Sequence, residues 1–255
     1  MVEDRKWGMV IDIDRCSGCQ ACVIACQTEN NILMTSEDIA QQKRAMTWIR
    51  IERYWEGEFP NIKARFIPVL CQHCENAPCE PVCPVYATYH NDEGLNVQVY
   101  NRCVGTRYCA ANCPYHARVF NYWERSTNSP WLSVYSPDSS PAEPMNEYLN
   151  PDVTVRSKGI MEKCTFCVQR IKRVERQAKV EGGRAVADGE VQPACVQACP
   201  TGALVFGNLL DPKSKVAQMA EDERGYHLLE DLGTRPSVTY LKKVDPNART
   251  ASQSH

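Results

Sequence analysis

The sequence predicts an α+β fold made of two small cysteine-organised modules, with long loop insertions and a C-terminal extension. Three observations predict it. All 15 cysteines fall into four tight groups. The stretch Val10–Cys26 recurs at Val97–Cys113 as a short alternating strand, then Arg-Cys-x-Gly, then cysteines at matching offsets save one. The segments around the groups are short and alternating, bounded by turn residues, which suits hairpins and short helices rather than one large core.

Taken in order, a short alternating strand precedes the first group, Cys16-x2-Cys19-x2-Cys22-x3-Cys26. Ser36–Met46 reads as a helix, with Ser36 as N-cap and Glu37 and Asp38 in its first turn. Thr47–Tyr54 and Ile62–Leu70 flank the turn Glu56–Asn61 as two strands. The second group is Cys71-x2-Cys74-x4-Cys79-x3-Cys83, followed by Pro84. Tyr86–His90 and Leu95–Tyr100 flank Asn91-Asp92-Glu93-Gly94, a hairpin signature. The third group is Cys103-x5-Cys109-x3-Cys113, then Pro114. Tyr122–Gly159, rich in proline and serine but keeping Trp123, Trp131, Tyr135 and Tyr148, reads as an ordered arm lying on a partner. The fourth group is Cys164-x2-Cys167 with Cys195-x3-Cys199 and Pro200. Phe166–Val180 reads as a helix whose cations form a solvated face. The tail beyond Gly207 is polar, carries no cysteine, and is expected to wrap a partner.

The cysteine spacing specifies the chemistry. The run C-x2-C-x2-C-x3-C-P is the bacterial two-cluster ferredoxin signature, in which the fourth cysteine ligates the other cluster of the pair. Three closely spaced thiolates cap three corners of a cubane, and the fourth corner needs a ligand from a distant segment. An odd cysteine count is poor material for disulfides. Structural zinc would use paired knuckles in fours and leaves the longer runs and Cys-Pro endings unexplained.

The repeat has one misfit. Cys16 aligns with Cys103, Cys22 with Cys109 and Cys26 with Cys113, but Cys19 aligns with Thr106. A hydroxyl is a poor ligand for soft, thiolate-loving iron. The expected cofactors are therefore three [4Fe-4S] clusters and one [3Fe-4S] cluster, which together use the 15 thiolates present, with Thr106 a non-ligand at the vacant corner. The alternative, a fourth iron held there by water or another residue, stays open. His73, His90 and His116 lie near cysteine groups and are read as hydrogen-bonding groups rather than ligands.

Composition narrows the function. A formal net charge of −2 argues against nucleic-acid binding. No run of 18 apolar residues offers a membrane span, and the N-terminal stretch shows no export signal. There is no dinucleotide fingerprint, no phosphate-binding loop and no nucleophile with a base. The expected role is electron transfer without bond chemistry, so no catalytic residue is named. A soluble polyferredoxin and a zinc-scaffolded interaction module are the competing classes.

With these motifs in hand, the chain resembles the four-cluster iron–sulfur subunits of the complex iron–sulfur molybdoenzyme superfamily. The resemblance covers nearly all of Lys6–Tyr240 and rests on CQHCENAPCEPVCP, YNRCVGTRYCAANCPY, NPDVTVRSKGIMEKCTFCVQRI and QACPTGAL. Thr106 and the NPDVTVRS segment are most similar to the iron–sulfur subunit of the quinone reductase complex, Qrc, and to the iron–sulfur part of alternative complex III. The resemblance implies a ligand pairing. Cys16, Cys19, Cys22 and Cys199 hold cluster one; Cys164, Cys167, Cys195 and Cys26 hold cluster two. Cys71, Cys74, Cys79 and Cys113 hold cluster three; Cys103, Cys109 and Cys83 hold the three-iron cluster. It also implies nesting: residues 1–35 with 155–206 as one ferredoxin-like module, and 60–121 as the second. Residues 36–59 are then a helix and hairpin insertion, 122–154 a docking arm and 207–255 the extension. The implied partners are a molybdopterin-oxidoreductase-like subunit, a multihaem cytochrome c and a quinone-binding membrane subunit of the polysulfide reductase type. The implied activity is electron passage from cytochrome c to menaquinone in the respiratory chain; the alternatives are the role in alternative complex III, which runs from quinol outward, and that of an iron–sulfur subunit of a molybdopterin reductase or dehydrogenase. The implied location is peripheral on the cytoplasmic membrane, at its periplasmic face by co-export with a Tat-signalled partner, with the cytoplasmic face as alternative.

Overall fold

The structure is a computed structural model that describes residues 5–123 and 149–244. Its organising strand is β1 (Trp7–Asp12), buried at every position. The run WGMVID is apolar on both faces because both faces are covered. β8 (Leu204–Asn208) pairs antiparallel with it, Ile11 opposite Leu204 and Trp7 opposite Asn208. β10 (Val238–Leu241) pairs with it in parallel, Met9 opposite Val238. β9 (Gly225–Tyr226) closes the edge beyond β10. From this sheet an aromatic row runs inward: Trp7 stacks on Phe206 at 5.4 Å, Phe206 meets Phe166 edge-on at 5.2 Å, and Phe166 stacks on His73 at 4.0 Å.

The sheet corrects the expectation for the tail. Residues 207–244 do not stand apart as an extension, because β9 and β10 belong to the sheet that contains β1, and Tyr240 is fully buried. Its hydroxyl donates to the Pro68 carbonyl at 2.9 Å, tying the tail to the central hairpin. A parallel partner more than 220 residues away leaves no local pattern to read.

β2 (Ile49–Glu56) and β3 (Lys63–Leu70) form the central hairpin, Ile49 opposite Leu70 and Glu56 opposite Lys63. The strands start one or two residues later than their alternation suggests. Residues 36–46 are not one helix. α2 covers only Glu37–Gln41 and buries nothing, and Lys43 turns left-handed at φ 58°. With no apolar face to bury, nothing extends the helix toward Met46, whose side chain is instead drawn into the core.

The second hairpin is shorter than expected, β4 (Thr88–His90) with β5 (Asn96–Gln98). Tyr86 is left-handed and Tyr100 opens a 3-10 turn, which trims both ends. β6 (Arg118–Phe120) pairs with β7 (Met161–Lys163). Residues 161–163, expected in the first module, therefore complete a ladder of the second, so a boundary at 155 cuts a strand pair. The helices are short: α1 (Ala21–Glu29), α3 (Tyr108–Ala111), α4 (Val168–Val180), α5 (Ala194–Gln197) and α6 (Lys215–Ala220). α4 starts two residues later than expected because Phe166 and Cys167 are left-handed. Most of the proposed docking arm, residues 124–148, lies outside the described residues.

The internal repeat is visible in the backbone. Gly18 and Gly105 sit at φ 72° and 71°, and Gln20 and Arg107 at φ 63° and 62°. Each pair precedes a helix: α1 carries Cys22 and Cys26, and α3 carries Cys109 and ends two residues before Cys113. Gly18 is required twice over: its φ is left-handed, and a Cβ there would stand 2.5 Å from the Phe66 ring.

Candidate iron–sulfur sites

All 15 cysteines are free thiols. The loop through Gly18 directs Cys16, Cys19 and Cys22 toward Cys199, and each of the four acts electrostatically on at least one other. Ile51 and Pro68 of the central hairpin line the same cleft as these thiols. Burial, then the neighbouring thiols, push Cys22 up to about 12. Burial also raises Cys199, but hydrogen bonds from Thr201 and from the backbone of Ala203 (N–H to Sγ 3.3 Å) and Leu204 outweigh it, and its thiol is more acidic than usual.

Cys26 lies one helical turn beyond Cys22 on α1 and faces a different set: Cys164, Cys167 and Cys195. Burial pushes Cys26 and Cys195 well up and takes Cys164 to about 12. Asn30 donates to both Cys26 Sγ (3.6 Å) and Cys167 Sγ (3.7 Å). The Phe166 and Ala194 amides donate to Cys164 and Cys167 at 3.4 and 3.5 Å.

Cys74 and Cys79 are each within charge range of Cys71 and Cys113. Burial, with these neighbours, takes Cys74 to about 12 and Cys79 to about 11. Asn96 donates to Cys79 Sγ at 3.8 Å. The last set is Cys109 with Cys103 and Cys83. It receives the Met161 amide on Cys103 (3.4 Å) and the Ala87 amide on Cys83 (3.2 Å). Thr106 occupies the place of Cys19 in a loop of the same backbone conformation, and both residues are exposed.

The sets form a line. Cys195 is within charge range of Cys22, joining the second set to the first. Cys71 acts on Cys164, joining the third to the second. Arg118 acts on Cys109 of the fourth set and on Cys71, Cys79 and Cys113 of the third.

Do these residues fit iron–sulfur clusters? Among the described residues no three His, Cys, Asp or Glu side chains close on a single-ion site. Each set gathers thiols, the donor type that iron–sulfur clusters take. Buried thiols pushed to about 11–12 stay protonated unless iron supplies the compensating charge. Amide donors aimed at sulfur suit thiolates. The donor set fits.

Two of the three histidines hydrogen-bond through their rings, as expected. His73 Nδ1 accepts from the Asn96 amide at 3.1 Å, and His90 Nδ1 pairs with Glu80 at 2.6 Å. Several residues escaped the sequence reading: Asn30, Asn96, Arg118 and Lys163. The only signal for the last two is a cation opening, or closing, a short strand next to a cysteine group.

Comparison with known proteins agrees with this chemistry. Two models of a 4Fe-4S dicluster domain match residues 62–129 and 102–203. The iron–sulfur cluster-binding subunit of menaquinone reductase from Nitratidesulfovibrio vulgaris is 42% identical, over 93% of this chain and 89% of the relative. Iron–sulfur subunit 1 of the Hdr-like menaquinol oxidoreductase of Archaeoglobus fulgidus is 34% identical, over 94% and 84%. The iron–sulfur subunit of a putative dimethyl sulfoxide reductase from Halobacterium salinarum is 36% identical, over 92% and 79%.

Proposed function

The chain belongs to the iron–sulfur subunits of the complex iron–sulfur molybdoenzyme family, and from that premise we propose that it is the electron wire of a Qrc-type respiratory complex. The observation that carries this is the line of four thiol sets, each within charge range of the next or joined to it through Arg118. In this reading Cys16, Cys19, Cys22 and Cys199 hold the first cluster, and Cys26, Cys164, Cys167 and Cys195 the second. Cys71, Cys74, Cys79 and Cys113 hold the third, and Cys83, Cys103 and Cys109 a three-iron fourth. The clusters supply one-electron redox chemistry.

The protein's own residues order the line. Single short elements each hold cysteines of two neighbouring sets: Cys22 and Cys26 on α1, Cys195 and Cys199 at α5, Cys79 and Cys83 in one turn, Cys109 and Cys113 at α3. The first site is thus fixed to the second, and the third to the fourth, by one turn of backbone, while the second and third adjoin through Cys164 and Cys71. Amide and Asn donors orient the sulfurs, and burial excludes water from the two middle sets.

The resemblance supports a molybdopterin-like partner and a multihaem cytochrome at the first site, and a quinone-binding membrane subunit at the fourth. It also supports a periplasmic position. No helix among the described residues is long and apolar enough to cross a membrane. The relatives named above include both a menaquinone reductase and a menaquinol oxidoreductase; the first is the more similar and favours flow toward menaquinone. The test is to tag this chain, solubilise membranes and recover its complex. The expected result is co-purification of a quinone-binding membrane subunit and cytochrome c-dependent reduction of a menaquinone analogue. Recovery of the chain alone, with clusters intact, would refute the reading.

A further inference from the structure

Two cations stand inside the line of sites with no carboxylate paired to them among the described residues. Arg118 of β6 is 6% exposed and Lys163 of β7 is fully buried. The Arg118 guanidinium donates to Thr88 Oγ1 at 3.1 Å, Gln98 Oε1 at 2.7 Å and Asn96 Oδ1 at 2.7 Å, all uncharged. Lys163 Nζ donates to the Cys164 carbonyl at 2.7 Å. The nearby acid Glu162 is already paired with Arg156 at 2.9 Å.

A buried guanidinium without a counter-charge is costly. Burial alone would make Arg118 less basic; the thiols of Cys79, Cys71, Cys109 and Cys113 more than offset it. Three of these belong to the third set and one to the fourth. Burial raises Cys109, and the Arg118 guanidinium is the first influence acting against it. The sulfurs are its counter-charge, and it stands where two sites meet. Its three acceptors, Thr88, Asn96 and Gln98, lie on β4 and β5, so the second hairpin acts as a bracket for the guanidinium.

We propose that Arg118 is a fixed-charge tuning residue shared by the third and fourth sites, raising the reduction potential of both together. The inference rests on the four-site reading above. An electron arriving at either site adds one negative charge, which the nearby guanidinium stabilises. When one electron moves between them, one site is oxidised and the other reduced, while Arg118 keeps its proton. No proton transfer accompanies the step at this position. A cation that acts on both sites moves both potentials in the same direction and leaves the difference between them little changed.

The test is an anaerobic potentiometric titration of the full chain in its complex, followed by electron paramagnetic resonance, with iron content measured in parallel. In Arg118→Gln, iron content stays at the wild-type value. The third and fourth centres become at least tenfold harder to reduce at a fixed potential, a fall of 59 mV for one electron. The first and second centres stay within twofold. Arg118→Lys, which keeps the charge, stays within threefold of wild type at all four. If Arg118→Gln fails to load iron, Gln98→Glu makes the test from the acceptor side. A carboxylate 2.7 Å from the guanidinium offsets its charge and lowers the same two centres. Unmoved third and fourth centres in an iron-replete variant, or an equal shift of all four, overturn the proposal. A wild type with fewer than four titrating centres refutes the four-site reading and this role with it; four centres without the paired shift refute the role of Arg118 alone.

Discussion

Replacing Arg156 with methionine removes a buried charge that holds the Asn30 carbonyl beside the second site. Arg156 and Glu162 are 2% and 1% exposed, 2.9 Å apart. The guanidinium also donates to the carbonyls of Thr154 (2.8 Å), Asn30 (2.7 Å) and Asn31 (2.9 Å), and it lies over the Trp48 ring at 5.0 Å. Glu162 meanwhile accepts from Trp48 Nε1 at 3.1 Å. Methionine keeps much of the packing but leaves a buried carboxylate without its cation, a loss of about 3–5 kcal/mol. For a chain of this size that is a fall in Tm of roughly 10 °C. The damage begins at the second site, because Asn30, whose carbonyl Arg156 holds, carries the amide that reaches Cys26 and Cys167. The assay is anaerobic thermal unfolding followed together by circular dichroism and by visible cluster absorbance. Adding Glu162→Gln, which keeps an acceptor for Trp48, removes the stranded charge and restores at least half of the loss. A single variant within about 1 kcal/mol of wild type, or a double variant as unstable as the summed singles, would refute the reasoning.

Thr106→Cys supplies the thiolate that the repeat lacks. Iron content rises by one per chain, the three-iron resonance of the oxidised protein disappears, and the potential of that centre falls. Gly105→Ala places a Cβ 2.0 Å from the Gly159 carbonyl oxygen in a left-handed backbone. The left-handed conformation alone costs about 1–2 kcal/mol; the fourth centre is lost while the first, on its own loop, keeps its resonance. Asn30→Leu removes donors from Cys26 and Cys167, so the second centre becomes harder to reduce and the fourth does not change, as read by the same titration.

The sites were more legible than the fold. Cysteine spacing is local, and a left-handed turn followed by a helix repeats with the residues that encode it, so Gly18 and Gly105 agree within 1° in φ. The hairpins were visible because alternation and turn residues act over a few positions; their ends were not, since Tyr86 and Tyr100 leave the strand through backbone turns set by neighbouring cysteine loops. The helix expected at Ser36–Met46 failed because polar residues with good N-terminal signals still need a face to bury, and α2 has none. β10 escaped notice because Val238–Leu241 is four residues in a polar tail, and only pairing with distant β1 gives it a place. Arg118 escaped because a cation in a three-residue strand looks like surface until the bracket of Thr88, Asn96 and Gln98 closes over it.

The central claim is that 15 thiols, in sets of four, four, four and three, make a continuous line of iron–sulfur sites. The most direct measurement is iron and acid-labile sulfide per chain in anaerobically isolated complex, with electron paramagnetic resonance of the oxidised and fully reduced forms. The account predicts about 15 irons, a three-iron signal when oxidised and interacting four-iron signals when reduced. Stoichiometric zinc, or an iron count near four, would contradict it.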